Sequence, residues 1–168
     1  MKENKVKLDE KDLKILKEMI DNIVNVKLVE SIYLTPSYFD GEYKIGINFI
    51  INNTPNYSLK TFKEQIKDYK KEILSLKTII NELRNNLGTK DNGKIHFEFF
   101  IYDSKDFNVD AENTFEILLA KGFVSSYIVF DRYNYMQELL EILLTRVTPY
   151  DNLFEVENII KLIEYKKR

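Results

Sequence analysis

The feature that most constrains this chain is a seam of apolar residues between Phe62 and Leu87. Phe62, Ile66, Tyr69, Ile73, Leu76, Ile80, Leu83 and Leu87 recur at alternating intervals of four and three residues. That spacing puts all eight on one stripe of a continuous α-helix, because 3.6 residues complete a turn. Ser58 is positioned to cap its start. Gly88 is positioned to stop it, since glycine takes the left-handed closing conformation without steric cost. A helix of this length runs roughly 40 Å, more than a small sheet needs for cover. The stripe therefore has two uses, packing on the core and contact with a twin or a different partner. Core packing is expected along its first half, and the second half is the part open to a partner.

The remaining elements follow from the same periodicities. Leu13, Leu16, Met19, Ile20, Ile23 and Val24 form one helical stripe behind Asp9, a candidate N-cap. Residues 26–34 alternate as a strand, with Val26, Leu28, Ile32 and Leu34 on one face and Glu30 the polar exception. Leu34-Thr35-Pro36-Ser37 reads as a short polar turn, and Asp40-Gly41 as another. From Tyr43 to Asn52 the alternation is clean: Ile45, Ile47, Phe49 and Ile51 face one way, and Lys44, Gly46, Asn48 and Ile50 the other. Turns at Asn53-Thr54-Pro55-Asn56 and Asn92-Gly93 bracket the long helix, and residues 95–102 read as a buried, aromatic-rich strand. A helix over 111–121 with a stop at Gly122, a strand over 124–130 and a helix over 133–146 follow. In that last helix Met136, Leu139, Leu140, Leu143 and Leu144 point inward. Pro149 breaks the pattern, and 153–165 forms a final helix through Val156, Ile159, Ile160 and Ile163. This order predicts a single α/β (α+β) domain over residues 1–168, a small mixed sheet covered by helices. Its core spans about 9–146, with the C-terminal helix over 153–165.

Composition removes several chemistries. There is no cysteine, so disulfides, thiol nucleophiles and zinc–thiolate sites are excluded, and the single histidine excludes multi-histidine metal sites. A net charge of −2 offers no general attraction for nucleic acid, and Lys166-Lys167-Arg168 reads as a solvated tail. The charged start Met1-Lys2-Glu3-Asn4-Lys5 has no apolar signal core, and no run is long enough to span a bilayer, so a cytoplasmic protein is expected. Richness in Lys, Asn and Ile points to an AT-rich coding genome, such as that of a low-GC bacterium or its phage. No P-loop, dinucleotide-type glycine fingerprint or Gly-x-Ser-x-Gly elbow is present.

The element order, together with Pro36-Ser37 and the strand Lys44-Ile45-Gly46-Ile47-Asn48, resembles the minimal nucleotidyltransferase core. A second echo is Glu116 to Gly122 followed by Tyr127-Ile128-Val129-Phe130-Asp131-Arg132, similar to that family's helix, glycine stop and short strand ending in an aromatic-Asp pair. The resemblance covers roughly Asp9 to Leu144. It implies a Gly-Ser turn for nucleotide phosphates, two aspartates one residue apart holding magnesium, and a third carboxylate on a later strand. Carried over, Ser37 falls at the nucleotide-binding turn, Gly46 and Asn48 at the metal pair, and Glu98 near the third carboxylate. An asparagine carbonyl cannot replace two negative charges opposite a triphosphate, so the metal-binding motif is degenerate and conventional nucleotidyl transfer loses its electrostatic basis.

Other candidates each have a plainer alternative. Asp40 and Glu42 form either a displaced metal site or a pair of solvent-facing turn residues. His96 beside Glu98 is either a general acid–base pair or two polar residues on the less buried face of a strand. Phe97, Phe99 and Phe100 read as core. Asp131 caps the next helix, and Arg132 forms a local ion pair or binds a phosphate. Two functions follow. The first is a non-catalytic module, a pseudoenzyme acting through a protein partner or as a homodimer, with no cofactor, no general nucleic-acid binding and no membrane. The alternative is a divergent transferase using Ser37, Asn48 and Glu98 with Mg²⁺ and a nucleotide.

Overall fold

The computed structural model describes residues 5–39, 41–52, 61–88, 95–107, 123–145 and 155–165. The expected turns at Asn53-Thr54-Pro55-Asn56 and Asn92-Gly93, the cap at Ser58, the helix over 111–121 with Gly122, Pro149 and the Lys166-Lys167-Arg168 tail lie outside the described residues. In chain order the elements are β1 (Lys5–Val6), α1 (Glu10–Ile23), β2 (Val29–Phe39), β3 (Glu42–Ile51), α2 (Phe62–Asn86), β4 (Ile95–Asp103), β5 (Tyr127–Asp131), α3 (Tyr135–Leu144), β6 (Glu155–Val156) and α4 (Ile160–Tyr165). Short 3₁₀ turns occupy Ser104–Phe107 and Phe123–Ser125.

Four strands form one mixed sheet in the order β4-β3-β2-β5. β3 and β4 run parallel, joined through α2, and the other neighbours are antiparallel. This is the small mixed α/β architecture that the element order predicts. Among the described residues no helix is long and apolar enough to cross a membrane.

The polar turn expected at Leu34 to Ser37 is instead the middle of β2, and the chain reverses at Gly41, whose φ of 79° suits glycine. Pro36 sits opposite Ile45 and Ser37 opposite Lys44. Pairing of β2 with β5 stops at Leu34, so beyond it, among the described residues, β2 has only β3 beside it. A strand tolerates a residue without an N–H there.

One sheet face carries Ile32, Leu34, Ile45, Ile47, Phe49 and Ile51, packed under α1, α2 and α4. Leu13, Leu16, Met19, Ile20 and Ile23 of α1 are buried as their spacing predicts, while Val24 is exposed just past the helix end. Asp9 occupies the N-cap position without a side-chain cap bond. Asp12, in the first turn, accepts from the Gly88 N–H at 3.1 Å and so ties the start of α1 to the stop of α2. Burial pushes the Asp12 carboxyl up, and the Gly88 hydrogen bond opposes that push.

The seam of α2 is divided opposite to expectation. Leu76, Ile80, Leu83 and Leu87 are buried along the second half, whereas Ile66 and Tyr69 stand exposed along the first. The geometry explains the reversal. The helix must end beside the start of β4, so its last turns lie over the sheet. At about 37 Å it overshoots with its first turns. Thr61 is the N-cap, its hydroxyl accepting from the Glu64 N–H, and Gly88 with φ 63° follows the last turn as expected.

Among the described residues, the opposite sheet face is covered at one end only. There Tyr33 and Ile50 pack with Phe107, Phe123 and the α3 residues Met136, Leu139, Leu140 and Leu143. Leu144, expected inward, is exposed at the end of α3. The final helix is shorter than its periodicity predicts. Val156 belongs to β6, which pairs in parallel with β1, and α4 begins only at Ile160. Buried Asn158 completes this clasp: its Oδ1 accepts from the Leu8 N–H and its Nδ2 donates to the Leu8 carbonyl, both at 2.9 Å.

Candidate functional site

The end of the second sheet face that no described residue covers gathers most of the sequence candidates. Register aligns Ser37 with Lys44 and Thr35 with Gly46 across β2 and β3. Across β3 and β4 it aligns Lys44 with His96, Gly46 with Glu98 and Asn48 with Phe100. Ser37, Glu42, Asn48, His96 and Glu98 therefore share one face, although they come from three strands. Asp40 lies outside the described residues.

Their local chemistry differs from what nucleotidyl transfer requires. Asn48 is 1% exposed, and its Nδ2 donates toward the Tyr33 carbonyl at 3.0 Å, Thr35 Oγ1 at 3.1 Å and the Gly46 carbonyl at 3.2 Å. Three acceptors around two N–H donors commit the amide to holding β2 against β3. Gly46 has no room for a side chain. A Cβ there would lie 2.6 Å from Thr35 Oγ1 and 3.2 Å from the Phe100 ring, so the glycine seats that ring over the backbone. Ser37 is half-buried in regular strand, where neighbouring amides bond along the ladder instead of converging on an anion.

The charged groups pair locally. Lys44 Nζ lies 3.6 Å from Glu98 Oε1, and His96 Nε2 lies 3.9 Å from Glu42 Oε1. Glu42, His96 and Glu98 are about half exposed, so these contacts carry little energy. Among the described residues no cluster of three or more His, Asp or Glu is placed to hold a metal ion.

Beside this face runs a feature that the sequence pattern misses. β4 reads as a buried strand, yet among the described residues it is the sheet edge, and of its nine residues only Ile95 is buried. Phe100 is 38% and Ile101 48% exposed. Phe97 and Phe99 pack partly on the core, while Phe100 lies on the other face and stacks on Tyr102 at 6.2 Å. A groove of about 660 Å³ follows this edge, lined by Arg84, Leu87 and Gly88 from the end of α2 and by Ile95 to Phe100. The Arg84 guanidinium sits 5.4 Å from the Phe99 ring centroid. The aromatic-rich run makes β4 look interior; only strand order reveals the edge.

Asp131 and Arg132 have structural roles. Asp131 accepts from Ser31 Oγ at 2.8 Å and from the backbone N–H groups of Met136 and Gln137, which caps α3 as expected. Arg132 crosses to the segment joining α1 and β2, where Nε donates to the carbonyl of Val29 at the start of β2 at 3.0 Å and the two Nη atoms reach the carbonyls of Ile23, Val24 and Val26 at and beyond the end of α1. Its charge meets the negative end of the helix dipole, with the Phe130 ring 5.2 Å away. No sequence signal marks this role, because its partners lie more than 100 residues earlier. Burial pushes the Glu30 carboxyl up, opposed by Arg132, and also raises the Tyr33 and Tyr102 hydroxyls.

Comparison of the chain with protein-family models, with curated proteins and with solved structures returned no match in any of the three.

Proposed function

We propose that this chain is a non-catalytic binding or regulatory module, acting through protein contacts on a nucleotidyltransferase-like scaffold. The observation that carries the reading is β4, a nine-residue edge strand with exposed aromatic and aliphatic residues and a groove along its length. Strand edges bind proteins by backbone pairing, and alternate side chains supply selectivity. The candidate transfer site supports the same reading from the other side. Asn48 is committed to internal carbonyls, and Phe100 occupies the space beside Gly46 where a second carboxylate would stand. A phage or mobile-element setting suits such a module.

One observation favours a second reading. Parallel pairing of β3 with β4 places Glu98 directly beside Gly46, the neighbourhood in which a transferase scaffold keeps its third carboxylate. On that reading the chain is a divergent metal-dependent nucleotidyltransferase using Ser37, Asn48, Glu98 and Mg²⁺, with a hydroxyl of a protein, an RNA or a small molecule as acceptor. Calorimetric titration with each nucleoside triphosphate, with and without magnesium or manganese, separates the two. The binding-module reading expects no heat across the panel. Metal-dependent heat that disappears in Glu98→Gln would overturn it.

A further inference from the structure

Edge strands in natural sheets are blunted by lysine, proline, bulges or short length. β5, the other edge of this sheet, is five residues long, and its pairing with β2 contains a register shift. β4 has none of these devices: nine residues, no Lys or Pro, and an unbroken register with β3. Among the described residues, none outside β3 forms a backbone hydrogen bond with Ile95 to Ile101. The strand is built to be paired, and its side chains identify the partner.

We propose, resting on the protein-contact reading above, that β4 pairs antiparallel with β4 of a second copy, about a two-fold axis at Phe97. Antiparallel self-pairing that keeps each sheet face continuous can place its axis on Phe97, Glu98 or Phe99. An axis at Glu98 sets two carboxylates directly opposite each other, which is repulsive. An axis at Phe99 sets Glu98 against Phe100 and His96 against Tyr102, leaving each carboxylate facing a ring. An axis at Phe97 sets His96 opposite Glu98 twice over, imidazole N–H against carboxylate. On the other face it sets Ile95 opposite Phe99 and Phe97 opposite its own copy. Both groups are exposed and, among the described residues, held only by long contacts, to Glu42 and Lys44, so both can turn to a new neighbour. The second copy's apolar residues then enter the groove floored by Leu87, Phe97 and Phe99. The product is one eight-stranded sheet with both α2 helices on the same face. Such an interface lies near the lower limit for specific pairs, about 1,000 Å², so association in the micromolar range is expected.

Sedimentation velocity from low to high micromolar concentration should show a monomer passing to a dimer. His96→Glu brings four carboxylates together and should weaken association at least tenfold. The swap of His96→Glu with Glu98→His restores the reciprocal pairs and should recover it, which separates lost pairing from lost folding. The chain contains no cysteine, so register can be read directly. Mixed His96→Cys and Glu98→Cys chains should form a heterodisulfide on oxidation that neither forms alone. A chain monomeric to its solubility limit overturns the proposal, as does preferential cross-linking of Glu98→Cys to itself or to Phe100→Cys. Either result leaves the binding-module reading standing, since that reading falls only to metal-dependent nucleotide binding.

Discussion

Replacing Asn48 with aspartate would restore one of the carboxylates that a transferase places at this position, and the structure predicts a cost instead of a gain. The Asn48 amide donates to two backbone carbonyls and a hydroxyl while 1% exposed. A carboxylate there removes the donors, turns an oxygen toward the Tyr33 and Gly46 carbonyls, and buries a charge. Stranding buried acceptors costs about 1–3 kcal/mol each, and an unpaired buried charge about 3–5 kcal/mol unless it protonates. Protonation limits the total, so Asn48→Asp should lose about 3–5 kcal/mol at pH 7, a large share of the 5–15 kcal/mol typical of a folded domain. The sign of the pH dependence is distinctive. Burial raises the native pKa of the new aspartate above its unfolded value of about 3.9, so the native state holds a proton that the unfolded chain has released. Stability of the variant relative to the parent therefore falls as pH rises from about 4 to the raised native value, and the deficit shrinks on acidification. Urea unfolding of both proteins at pH 5 and pH 7, with equal m-values as a control, measures it. A variant within about 1 kcal/mol of the parent at pH 7, or a deficit that deepens at pH 5, would refute the reasoning.

Other outcomes follow from single contacts. Arg132→Ala strips charge-assisted bonds from the carbonyls of Ile23, Val24, Val26 and Val29 and should cost about 2–3 kcal/mol by denaturant unfolding; Arg132→Lys should recover only part of this, since an ammonium cannot span the same carbonyls. Gly46→Ala forces Thr35 and the Phe100 ring to move and should cost about 1–3 kcal/mol, with Phe100 displaced in its aromatic NMR signals. Asp12→Asn keeps an acceptor for the Gly88 N–H without a buried charge, so it should equal or exceed parental stability at pH 7. The parent carries a raised carboxyl there and gains on the variant as pH falls through that raised value, so the difference should narrow toward pH 4 in thermal melts.

Local periodicity was enough to read α1, β3 and the long helix with its glycine stop, because each of those signals repeats within a few turns or pleats. The Asp131 cap was legible for the same reason, lying within six residues of the amides it serves. What escaped depends on neighbours distant in sequence. Pro36 looks like a turn unless one knows that β2 has lost β5 beside it. The half of α2 that meets the sheet is set by where β4 begins, which the seam itself does not encode. An aromatic-rich run looks interior until strand order makes it an edge. Asn48 is the clearest case at the candidate site. The sequence places it where a metal ligand is wanted, but whether its amide is free depends on which carbonyls register brings within 3 Å.

The clasp between Leu8 and Asn158 joins positions 150 residues apart. Val6 and Leu8 share one buried cluster with Val156, Ile159 and Leu162, so residues early in this stretch are matched by residues about 150 positions later. Until residues 155–162 are made that patch lacks these partners, and closing so long a loop is entropically slow. The nascent chain therefore has an interval in which β2, β3 and α2 can assemble while the segment around Val6 and Leu8 still waits for its partners. A chain that stalls before residue 155 leaves Val6 and Leu8 without these partners.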